Sequence, residues 1–208
     1  MQRLTHVVWE GAWHLAPRRF PQDDSLISIG AGEPPEVLKA IDRLTRDNLF
    51  PIRGGFANAA EAALLEALGS ASGEASWLGD GTFACLEFAA DFEIAMNLAA
   101  GRLERFLGAT DQRAMEIDLQ ARRVDIDGHF VDLTALGSDH AAIRQALKQA
   151  RLAGQTGVLL RVIHGGRAVI AFTPDAWSHA REDSRFAMSW NGREVETAYE
   201  KRLLRLVG

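Results

Sequence analysis

The residue whose type sits least comfortably in its surroundings is Glu87, inside the apolar run Thr82 to Phe88. A carboxylate buried in such a strand is costly unless it is paired or put to use, so Glu87 is a candidate for chemistry that needs a fixed negative charge. Two further places carry cations. Arg18 and Arg19 stand between Pro17 and Pro21, and on that stiff stretch their guanidinium forks could clamp an anion in two places at once or simply face water. Arg161 interrupts the otherwise apolar run Gly157 to Ile163, so it is either on an exposed face or reaching an anion in a cleft. His164, before Gly165 and Gly166, has the ring of a general base or ligand, though a turn histidine in water is the simpler account. Asp125, Asp127, His129 and Asp132 are metal-ligand types, but a polar outer strand face beside a turn explains them more cheaply, and no metal is expected.

The elements that hold these groups can be read from periodicity. Gly79-Asp80-Gly81 is a turn signal, and the apolar run after it has the length of a buried strand. Asp91 then suits the amino-terminal cap of a helix. Phe92, Ala95, Met96, Ala99, Leu103 and Phe106 form its apolar side, and Glu93, Asn97, Gly101 and Glu104 its polar side. Turn, strand and helix together make a rigid unit whose entry loop could offer backbone amides to a ligand.

Around this unit, residues 5 to 16 alternate as one or two strands broken at Gly11, and helices are expected from Pro34 to about Asn48 and from Asn58 to Leu68. Short strands follow at Ala114 to Leu119 and Arg122 to Ile126, with Asp127-Gly128 as a hairpin turn into His129 to Leu133. Ser138 is a suitable cap for a helix from Asp139 to about Leu152, with Ile143, Leu147 and Ala150 inward. Gly157 to Ile163 and Ala168 to Phe172 form a hairpin, Phe186 to Trp190 and Glu194 to Tyr199 another, and Glu200 to Val207 reads as a short basic helix or fray. Hairpins mixed with helices, without regular alternation, indicate an α+β fold with mixed or antiparallel sheets and flanking helices.

The 208 residues are 47% hydrophobic and 25% charged, ordinary globular composition, and the net charge of -5 argues against a surface built to hold nucleic acid. The single cysteine, Cys85, cannot form an internal disulfide and reads as a buried structural thiol, which suits a reducing cytoplasm. No apolar run approaches the roughly 18 residues of a membrane span, and the amino terminus lacks a secretory apolar core.

Four stretches, in order, resemble the RES family, the toxin halves of RES and Xre type toxin and antitoxin pairs. They are HLAPRRFP from His14; PEVLKAIDRLTRDN from Pro35; GDGTFA with ADFEIAMNLAAGRLERF; and Val131-Asp132-Leu133 through GVLLRVIHGGRAVIAFTPDAW to Ser189-Trp190-Asn191-Gly192-Arg193. The resemblance spans nearly the whole chain. It implies one RES-like domain over residues 1–208 with residues 33–70 as a helical segment, a fold similar to ADP-ribosyltransferases, an Xre-type antitoxin partner, and a cleft in which NAD is the substrate, cleaved or used as a donor of ADP-ribose. A homo-oligomer is compatible with it. The arginine, glutamate and serine that name the family fall on Trp77, Leu98 and Val162, and His14 stands in place of the opening arginine. An apolar side chain supplies neither charge nor a hydrogen bond, so the resemblance implies either a rearranged site or a RES-like protein that binds a nucleotide or partner without catalysis. For a rearranged site the neighbouring candidates are Glu87 or Glu93 as carboxylate, Arg18, Arg19 or Arg161 for the diphosphate, Asn97 beside Leu98, and Trp77 to stack on a planar ring.

Overall fold

The structure, a computed structural model, describes residues 3–17, 58–69, 85–110, 112–162 and 165–201. In chain order these form β1 (Leu4–Pro17), α1 (Ala59–Gly69), β2 (Leu86–Ala89), α2 (Phe92–Ala109), β3 (Met115–Asp132), α3 (His140–Leu152), β4 (Gly157–Arg161), β5 (Arg167–Ala171), β6 (Ser178–Trp190) and β7 (Val195–Lys201). The strands hydrogen-bond in the order β1-β2-β5-β4-β3-β6-β7, and β1 pairs again with β3. The first five therefore close into a ring, and β6 and β7 extend it from β3. The β3–β4 contact is parallel and the other pairings are antiparallel, so the α+β class with a mixed sheet holds.

Alternation along the strands divides the apolar side chains between two faces. Val7, Phe88, Ile126, Leu159 and Val169, one from each strand of the ring, pack together with Ala60, Leu64 and Leu68 of α1. On the opposite face, Leu15, Ala89, Leu119 and Met188 pack under Ala95, Leu98, Ala99, Leu103 and Leu107 of α2. A third cluster joins Val158, Leu160 and Ile170 to Ile143, Leu147 and Ala150 of α3. On this face α2 therefore lies over β1 and β2, and α3 over β4. Among the described residues, no helix is long and apolar enough to cross a membrane.

Several local readings are corrected. Residues 115–132 are one strand rather than two short strands and a hairpin: Asp127 and Gly128 lie in mid-strand opposite Val8 and Val7. Of the one or two strands expected over residues 5–16, the structure has one, Leu4–Pro17, with a bulge between Trp9 and Ala12 where Gly11 takes φ +67°. Phe106 is half exposed, and Leu98 and Leu107 complete the buried stripe of α2 instead. The α3 cap is Asp139, one residue beyond Ser138; its carboxylate accepts from the amides of Ala141 and Ala142. β6 begins at Ser178, and residues 200 and 201 belong to β7 rather than to a helix. Asp91 caps α2 as expected, accepting from the amides of Glu93 and Ile94. The expected helix from Pro34 to Asn48 lies outside the described residues.

Candidate functional site

A cleft opens where α2 passes the first turn of α3. Its apolar part comes from Ile94 and Leu98 of α2 and from Val162, just beyond β4; its polar part is Asn97, Arg105 and His140. The cavity volume here is about 200 Å³. A neighbouring hollow of about 320 Å³ shares His140 and Val162 and continues past Ser138 and Ile143 to Leu160 and Arg161. The geometry follows from the sequence: Asp91 fixes the start of α2, and the buried stripe of α2 seats the helix on the sheet. The adjacent row Asn97, Gly101, Arg105, spaced four residues apart, is left along the cleft. An apolar wall with a few polar groups at its rim is the usual composition of a small-molecule site.

Leu98 and Val162 are far apart in sequence, yet they face the same cavity. Asn97 lines it too. Arg161, exposed at the end of β4, lines the adjoining hollow, so of its two readings the structure gives the exposed position beside a cleft. Glu93 is exposed on the first turn of α2, next in sequence to the cleft residue Ile94. Arg18, Arg19, Trp77 and His164 lie outside the described residues.

Glu87 stands elsewhere. Its side chain, 2% exposed, points with Ala89 toward α2, where Oε2 accepts from Nη1 of Arg102 at 3.2 Å. Nη2 of Arg102 donates in turn to the carbonyl oxygen of Leu15. This carboxylate is paired, and it is not among the cleft-lining residues. Arg102 was missed in the sequence, although a signal existed: it falls on the apolar stripe of α2 between Ala99 and Leu103, an anomaly complementary to that of Glu87.

His14 is 3% exposed on the opposite face, against the Phe88 ring. Nδ1 lies 2.9 Å from the carbonyl oxygen of Glu87, and a carbonyl can only accept, so Nδ1 carries the proton. Nε2 is then a bare acceptor, buried and without a hydrogen-bond partner among the described residues. Burial first, and then the charge of Arg102, hold the imidazole neutral, with its pKa lowered to about 3. Arg122, directly opposite His14 across the β1–β3 ladder, is itself pushed down by burial.

The suspected metal ligands serve other contacts. Asp127 accepts from His6, whose ring stacks on that of His129 at 4.7 Å. Asp125 accepts from the Gly11 amide and pairs with His179, and Asp132 accepts from the hydroxyls of Thr5 and Thr134. Among the described residues no three such side chains gather around a common point.

No family model matches the sequence, and no curated protein matches it. Among solved structures, the crystal structure of the M. tuberculosis MbcT-MbcA toxin-antitoxin complex superposes with a TM-score of 0.38 and 13% identity, over 94% of this chain and 86% of that one. A superposition this loose establishes no common topology.

Proposed function

We propose that the chain is a RES-like protein of the toxin-antitoxin kind, with an ADP-ribosyltransferase-like arrangement, whose α2–α3 cleft takes NAD and holds it without breaking the nicotinamide to ribose bond. One observation carries the reading: Leu98 and Val162, where the resemblance puts the family's glutamate and serine, line the same cavity. Their shared cavity supports reading the two positions as parts of one site. Both side chains there are apolar, and neither can steady an oxocarbenium-like centre or bond a ribose hydroxyl. Arg105, Arg161 and His140 supply donors along the rim for phosphate oxygens. An Xre-type antitoxin partner and a cytoplasmic location accompany this reading.

Incubation of the purified protein with NAD, with nicotinamide followed by chromatography, tests it. NAD is expected to bind and free nicotinamide to stay at the level of the protein-free control. A second reading, cleavage, is favoured by Glu93, exposed on the first turn of α2 and next in sequence to the cleft residue Ile94. Nicotinamide release that Glu93→Gln abolishes would establish it in place of the first.

A further inference from the structure

We propose that Gly101 is a saddle over which the ligand of this cleft lies, and that the ligand is a planar aromatic anion seated against the α2 backbone with its charged end toward Arg105. The inference rests on the cleft being the binding site.

Glycine in a helix interior weakens the helix relative to alanine, so its presence in mid-helix calls for a local reason. One such reason is the close approach of another element. That reason operates at Gly157, where a Cβ would run into the carbonyl oxygen of Ile170, and at Gly166, where it would meet the Ile94 side chain. At Gly101 no described atom beyond its chain neighbours and its own helix backbone lies within 4 Å of the place a Cβ would take, and the residue lines the cavity. The other reason, a left-handed backbone, does not apply inside α2, and Gly101 is not among the glycines of positive φ. The space kept clear by the missing side chain is therefore cleft volume, directly over helix backbone.

Its neighbours say what would fill that space. Asn97 and Arg105 stand one turn to either side on the same row, so their Cα atoms are roughly 12 Å apart along the helix axis. A ligand lying between them meets an amide that both donates and accepts at one end and a guanidinium at the other. Ile94, Leu98 and Val162 flank the bare backbone, and their apolar surfaces suit a flat ring rather than a chain of hydroxyls. Gly108, also in α2, provides an internal control. It too has no described atom beyond its chain neighbours and own helix backbone within 4 Å of its absent Cβ, but it is exposed and is not among the cleft-lining residues.

The test compares Gly101→Ala, Gly101→Leu and Gly108→Ala with the wild type. Thermal unfolding is measured, along with titrations of two probes, NAD and the aromatic anion anilinonaphthalene sulfonate. Both alanine variants should unfold about 2 °C or more above the wild type, because alanine strengthens the helix and meets nothing described. Gly101→Leu should weaken both probes by about tenfold or more, Gly101→Ala by less, and Gly108→Ala should leave both unchanged. Dye binding that is lost in Gly101→Leu, in a protein whose wild type does not take NAD, removes the NAD reading and upholds the saddle. A folded Gly101→Leu that binds the probes as tightly as the wild type overturns the proposal, as does a wild type that binds neither.

Discussion

One guanidinium, that of Arg102, joins three elements: it donates to Glu87 of β2 at 3.2 Å and to the Leu15 carbonyl oxygen of β1, while its own backbone belongs to α2. The Glu87 and Arg102 side chains are 2% and 12% exposed, so their charges face little water and depend on each other. The pair fixes the height and rotation of α2 over the sheet, and thereby of the row Asn97, Gly101, Arg105 along the cleft.

Removing one partner leaves the other as an uncompensated buried charge. Arg102→Ala and Glu87→Ala should each lose about 3 to 5 kcal/mol in urea unfolding. The double substitution Glu87→Leu with Arg102→Met should lie closer to the wild type than either single change, because neither charge then remains. Single variants within about 0.5 kcal/mol of the wild type would show that the pair is not held as described.

His14 makes stability depend on pH in one direction. Its folded pKa, about 3, lies below the unfolded 6.5, so between these values the unfolded chain binds a proton that the folded chain refuses. Its contribution to stability is fully present above pH 6.5 and is lost as the pH falls toward 3. Between pH 6.5 and pH 5 the loss is about 2 kcal/mol at 1.36 kcal/mol per unit. His14→Gln should flatten that part of the profile in denaturant midpoints measured across the range. A wild-type profile no steeper than the variant's contradicts a buried neutral imidazole.

Gly157 opens β4 with the Ile170 carbonyl oxygen where a Cβ would be, and that atom is backbone, which cannot swing away. Gly157→Ala should therefore lower stability by about 1 to 3 kcal/mol and disturb the hairpin to β5. Chemical shifts of residues 168–172 would follow the change, and an unperturbed, equally stable variant would count against the packing.

The sequence made α3 legible, because Ile143, Leu147 and Ala150 keep helical spacing with no charge among them, and all three are buried. The hairpin of β4 and β5 was legible for a similar reason: two apolar runs flank glycines. β3 was not, since Asp127-Gly128 carries the local signature of a turn, and only the long-range ladder to β1 overrides it. Phe106 was misassigned because an 18-residue helix drifts relative to its stripe, and at that end Leu107 is the residue facing the sheet. For the cleft, the resemblance placed Leu98 and Val162 at two important positions, but their meeting in one cavity depends on how α2 crosses the end of β4. Spacing along the chain carries no information about that crossing. Glu87 stood out as an anomaly in the sequence; its partner Arg102, fifteen residues later, was concealed by being an ordinary helix former.

The central claim is that the cavity shared by Leu98 and Val162 receives NAD, and calorimetric titration of NAD into the wild type and into Val162→Trp tests it most directly. The indole fills much of a space of about 200 Å³ from Val162, which lines the cavity and is only partly buried against the α2 core cluster. The account predicts saturable binding to the wild type and none to a Val162→Trp protein that still unfolds cooperatively. Equal heats and equal affinity in the two proteins would contradict it.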